Sequence, residues 1–142
     1  MCRMAIAEAE THLAEASKYA RSGRFQLEAA IQSVHAERVR SGRTAWAPIM
    51  LFYKQLVRLS PTIGTHTGYA AAAGEAHGPD AGLAVLDRIE PGFVADYQPY
   101  WAVRAHLLQQ LGRLPESKTA FDRAIGLAED TAVRQFLLRK RG

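Results

Sequence analysis

Helix-length stretches of apolar periodicity, cut apart by glycine and proline at short intervals, constrain this chain more than any other feature. Ile6, Ala9, Leu13, Ala16 and Ala20 recur at the 3.6-residue period of one helix face. So do Leu27, Ile31 and Val34, running on to a polar Arg38, and then Trp46, Ile49, Tyr53 and Leu56. The alanine-rich stretch from Pro61 to His77 is weakly patterned, and a short helix is expected from Pro79 to Ile89. Tyr97, Trp101, Ala105, Leu108 and Leu111 follow, then Ala120, Phe121, Ala124 and Ala128, and last Val133, Phe136 and Leu137 behind Asp130. Gly23, Gly42, Gly78, Gly92 and Gly112 stand at the ends of these stretches, where a left-handed helix cap is usual. Pro61, Pro79 and Pro115 stand where helices should begin, because a first-turn residue has no use for its N–H, and Ser60 offers a cap ahead of Pro61. Composition points the same way. The chain holds 25 alanines and 14 leucines but only 13 valines and isoleucines together, so helix formers dominate and little is left to build a sheet. The expectation is an all-α fold of about eight helices in antiparallel pairs, one domain over residues 1–142.

Residues 98–129 contain the best internal pattern. Trp101, Ala105, Leu108, Gly112, Phe121 and Ala124 have the spacing of a tetratricopeptide repeat: an aromatic, a small residue and an apolar one on the first helix, a glycine turn, then an aromatic and a small residue on the second. In that register Trp101 and Leu108 face Phe121, while Ala105 and Ala124 let the backbones approach. Ser117 departs from the pattern where alanine is usual, and Glu129 where proline closes the repeat. Tyr53, Leu56 and Pro61, and again Gly78 and Leu86, are fainter copies. A right-handed tetratricopeptide-like array is the expected architecture.

Several function classes find no support in the residues. Cys2 is the lone cysteine, so neither an internal disulfide nor a thiolate zinc site is expected. The five histidines are dispersed along the chain without HExxH spacing, and Glu8, His12 and Glu15 read as a solvated helix face. No serine sits in a nucleophile elbow, and no glycine-rich phosphate loop occurs. No catalytic residue, metal or cofactor is expected. The net charge of +4 and pI near 9.5 raise the question of nucleic acid, but 14 of the 18 basic residues are arginines scattered along the chain. The helix after the Leu111–Leu114 turn carries Lys118 and Arg123 against Glu116 and Asp122, net neutral and unlike a major-groove helix. Sequence-specific DNA binding is not expected. The apolar runs are too short to span a bilayer and no apolar leader core follows Met1, so the expected compartment is the cytoplasm.

A resemblance then covers nearly the whole chain. Phe25 to Ala36, Thr44-Ala45-Trp46 with Ile49, Tyr53 and Leu59-Ser60-Pro61, Gly78 to Leu83, Arg104 to Leu108 with Leu111-Gly112-Arg113, Ala120 to Ala124, and Val133 to Leu137 occur in this order. Together they resemble the C-terminal extension of one group of extracytoplasmic-function sigma factors of bacterial RNA polymerase. Gly68-Tyr69 replaces the family's Asn-Arg, and His106 replaces an aspartate, so no family role is carried to those positions. The promoter-reading and polymerase-binding sigma core is absent from this stretch. The resemblance implies a tetratricopeptide-like module that modulates an attached sigma core, with that core, in the setting of RNA polymerase, as its partner. The other readings are a free-standing helical-repeat adaptor and a small-molecule-sensing or catalytic helical domain.

Far-UV circular dichroism of the chain is expected to show helix without a strand component, and a chelator is expected to leave its melting temperature unchanged. A metal-dependent melt contradicts the absence of a structural metal.

Overall fold

A computed structural model describes residues 21–37 and 42–142. Among these, all regular structure is helical. The first helix, α1, covers residues 21–37, and the remaining seven are α2 (Trp46–Leu59), α3 (Ile63–His77), α4 (Pro79–Leu86), α5 (Pro91–Val94), α6 (Gln98–Gln110), α7 (Leu114–Leu127) and α8 (Thr131–Arg141). The stripe from Ile6 to Ala20 lies outside the described residues. α2 packs on α3, α3 on α4, α6 on α7 and α7 on α8, while α6 also lies against both α3 and α4. The chain thus forms helix pairs stacked side by side.

The starts and stops follow from backbone groups that a helix end leaves unpaired. Gly78 separates α3 from α4 by a single residue and takes φ 106°, which a side chain would resist; Gly112 turns α6 into α7 at φ 76°. Pro79 and Pro115 lie in the first turns of α4 and α7, as their sequence positions require. Asp130 caps α8 by accepting from the Ala132 and Val133 amides at 2.7 and 3.3 Å.

Three expectations are corrected. The helix that was to begin at Ser60-Pro61 begins at Ile63, because Thr62 and Thr65 form a reciprocal capping box that pairs two orphan amides. Ser60 instead ends α2, its amide donating to the Leu56 carbonyl at 2.8 Å. Gly23 lies within α1, where its missing Cβ leaves room for Leu59, and Gly92 lies within α5; neither has a positive φ. The helix expected to reach Ile89 stops at Leu86, and Pro91 starts the separate short α5.

The larger core cluster runs from Ala70 and Ala73 on α3 through Leu83 and Leu86 on α4, Ala105, Leu107 and Leu108 on α6, to Phe121 and Ala124 on α7 and Leu137 on α8. Its tightest point is a notch. A Cβ at Gly74 would lie 2.6 Å from Leu107 Cδ2, and one at Gly82 would lie 2.7 Å from the Ala70 carbonyl oxygen and 2.8 Å from Leu107 Cδ1. Two glycines on facing helices therefore admit one leucine of a third.

The residues of the repeat pattern take up their expected burial with one difference. Ala105, Leu108, Phe121 and Ala124 are buried. Trp101 packs against the same cluster but is half-buried, its indole N–H shared between the Val94 and Ala95 carbonyls at 3.0 and 3.2 Å. It serves as the clamp that holds α5 to α6. Ser117, out of pattern in sequence, is buried and donates from Oγ to the Ala105 carbonyl at 2.8 Å, joining α7 to α6.

Gly82→Ala tests the notch. Alanine is the better helix former by about 1 kcal/mol, so an open site would be stabilised. Here the new methyl meets a backbone oxygen, and denaturant unfolding is expected to show a loss of about 1–3 kcal/mol. An increase in stability would contradict the close approach.

Candidate functional site: an apolar groove with a polar mouth

Leu107 points into the notch, and its neighbour His106 is carried on α6 toward a groove between α3, α6 and α8. The groove encloses about 240 Å³. Ala71 on α3 and Ala102 on α6 supply small walls, and Val103, Phe121 and Leu137 supply apolar surface. Trp46 from the start of α2 and Phe136 from α8 are its aromatic sides. The Trp46 ring is held edge-on to His35 with centroids 5.5 Å apart. Phe136 is 50% exposed although the next residue, Leu137, is buried in the core. That pair shows how α8 divides its faces, one turned to the bundle and one to the groove.

Three polar groups converge on this groove. His106 Nε2 lies 3.5 Å from Glu75 Oε1, and Lys140 Nζ lies 3.4 Å from His106 Nδ1. An ammonium can only donate, so Nδ1 accepts from Lys140 and Nε2–H faces the Glu75 carboxylate. Lys140 Nζ also lies 5.7 Å from the centre of the Phe136 ring. The helix carrying it is fixed at two further points. Gln109 donates to the Lys140 carbonyl at 2.8 Å, and Arg141 Nε pairs with Asp122 Oδ1 at 2.6 Å.

Sequence reasoning had no reason to join Glu75, His106 and Lys140, which lie in three separate segments. The one available signal was His106 itself, a histidine where the resembled family has an aspartate. The other histidines do not converge. His35 packs on Trp46, His66 Nδ1 donates to the Thr62 carbonyl at 2.7 Å within its own helix, and His77 ends α3. Cys2 and His12 lie outside the described residues. Among the described residues no group of three or more His, Cys, Asp or Glu side chains is placed to hold a metal ion, and no helix is long and apolar enough to cross a membrane.

A second cavity, of about 260 Å³, lies among α1, α2 and α3, lined by Glu28, Ile31, Tyr53 and Thr65 among others. The Tyr53 ring accounts for a departure in the sequence. A Cβ at Gly68 would fall 2.5 Å from Tyr53 Cε1, so glycine at this position lets the phenol ring lie directly on α3.

No family model matches the chain, and no solved structure matches it. An uncharacterized protein of Rhizobium meliloti (strain 1021) is 36% identical over 135 residues, which cover 95% of this chain and 32% of that protein. The chain thus spans about a third of the length of the curated relative it matches.

Burial, and then the Glu28 carboxylate, raise the Tyr53 hydroxyl above its ordinary pKa of 10.0. The folded state therefore holds this proton more tightly than the unfolded chain does. The resulting stability is complete below the ordinary tyrosine value and is lost as pH climbs through the raised one. Denaturation midpoints of Tyr53→Phe are expected to fall less steeply across that alkaline range than those of the parent chain; parallel curves would contradict the assignment.

Proposed function

We propose that this chain is a protein-contacting regulatory module that works in transcription initiation by modulating an attached extracytoplasmic-function sigma core. The observation that carries the reading is the ordered resemblance spread from Phe25 to Leu137. Two further features are in keeping with it. Stacked helix pairs make grooved surfaces suited to a peptide or a neighbouring domain. The Rhizobium relative is about three times the length of the matching segment, with room for other domains in the same protein.

The charge arrangement favours protein over DNA as the partner. On α7, Arg123 donates to the Ala95 carbonyl and lies 3.6 Å from Asp96, while Asp122 is taken by Arg141. Arg113, in the turn ahead of it, pairs with Glu116, and Arg104 on α6 with Asp87. Arginines occupied in this way do not form the free cationic stripe a phosphate backbone requires.

The reading predicts that the chain binds promoter DNA no better than random DNA, with any residual binding collapsing as salt is added. Removing the module from behind its sigma core is expected to change promoter-driven transcription, and the isolated chain is expected to capture the truncated core in a pull-down. Unchanged transcription after removal, or tight sequence-specific DNA binding by residues 1–142 alone, overturns the proposal.

A further inference from the structure

We infer that the groove between α3, α6 and α8 is a peptide-anchoring site that takes one large apolar side chain, aromatic or leucine-like, flanked by acidic residues. Size is the first argument. An apolar cavity of about 150 Å³ accommodates a benzene-sized molecule, so about 240 Å³ suits one bulky side chain and little more. Chemistry is the second. Trp46 and Phe136 offer ring faces and edges to such a group, and Ala71 and Ala102 leave the space open between them. A half-exposed Phe136 beside the fully packed Leu137 is an apolar surface that the chain's own core leaves uncovered.

Charge selects the flanking residues. Glu75 already faces the His106 N–H, and Asp122 is held by Arg141. Lys140, by contrast, meets a ring nitrogen, and no carboxylate among the described residues lies within ion-pair distance of it. Arg139 precedes it on the last turn of α8, while Arg141 is engaged with Asp122. Lys140 is therefore the cation at the mouth without a carboxylate of its own, and a carboxylate next to the anchoring residue of an extended ligand completes its pairing. A basic flank would meet this same ammonium at a cost.

This inference rests on the reading of the chain as a protein-contact module, but not on the sigma core being the protein contacted. Its test uses the whole 142-residue chain and fluorescence anisotropy of a labelled peptide carrying a single tryptophan between aspartates. Saturable binding is expected, at least about tenfold tighter than to the same peptide with lysines for the aspartates or alanine for the tryptophan. Lys140→Glu and the plugging variant Ala102→Trp are each expected to weaken it about tenfold or more, and Arg139→Glu by less than Lys140→Glu. Phe136→Ala, at a half-exposed position, serves where Ala102→Trp fails to fold, and circular dichroism checks each variant. Equal binding of the acidic and basic peptides, absence of saturable binding, or indifference to these substitutions overturns the inference. So does displacement of the peptide by indole-3-acetate with equal or greater affinity, which would make the groove a small-molecule site. Self-association of the chain that Phe136→Ala abolishes would assign the groove to a second copy and overturn it likewise. Peptide binding with transcription unaffected by loss of the module leaves this inference standing and removes the proposed function; the converse pair of results does the opposite.

Discussion

The insertion of Leu107 between Gly74 and Gly82 is the contact on which the arrangement of this protein turns. α3 and α4 are joined by one residue, and their alanine- and glycine-rich facing sides bring the two backbones close. A leucine from α6 then fills the notch that the two glycines leave. Because cores are packed to near-crystalline density, a side chain seated against a backbone oxygen on one side and a glycine on the other has no room to shift. The seat sets where α6 lies along the first helix pair, and through α6 it sets α7 and α8.

That seat also explains how a weakly patterned helix contributes to a site. α3 has almost no polar–apolar contrast around its circumference, yet it presents Ala70, Ala73 and Gly74 to its neighbours and Ala71 and Glu75 to the groove. Neighbouring positions on a helix point about 100° apart, so adjacent residues serve different partners. The same division appears on α6, where Leu107 enters the notch while His106 meets Glu75 and Lys140. The residues lining the groove are thus direct neighbours of the residues forming the core, and their placement inherits the rigidity of that core.

Lateral ties hold the edges. Trp101 clamps α5 through its indole N–H, and Arg123 lies over the same ring at 5.8 Å while donating to the Ala95 carbonyl. Arg134 donates to the Ala128 carbonyl, ahead of α8. Each such surface contact contributes little by itself, about 0–1 kcal/mol for an exposed ion pair. Their structural consequence is directional: backbone carbonyls at helix ends find donors, and the short α5 stays attached to the α6–α7 pair. Arg123 and Arg134 are employed in this way.

What the sequence by itself determined is the helical class, most of the boundaries and the identity of the core. Alanine and leucine in 3.6-residue register can form nothing else, and Gly78, Gly112, Pro79, Pro115 and Asp130 act through local backbone chemistry that needs no distant partner. The Thr62–Thr65 capping box is equally local, and it, rather than the Ser60-Pro61 pair, starts α3. The site was another matter. Glu75, His106 and Lys140 are separated by some thirty residues at each step, and nothing in the spacing of charged residues says which will meet. Nor could Ser117 or Gly68 be explained before the Ala105 carbonyl and the Tyr53 ring were seen beside them. Helix formation is decided within a turn or two of chain, whereas the meeting of three helix faces depends on how their side chains interlock. Only the tertiary structure, by seating Leu107 between two glycines, decided that α3, α6 and α8 would share a groove.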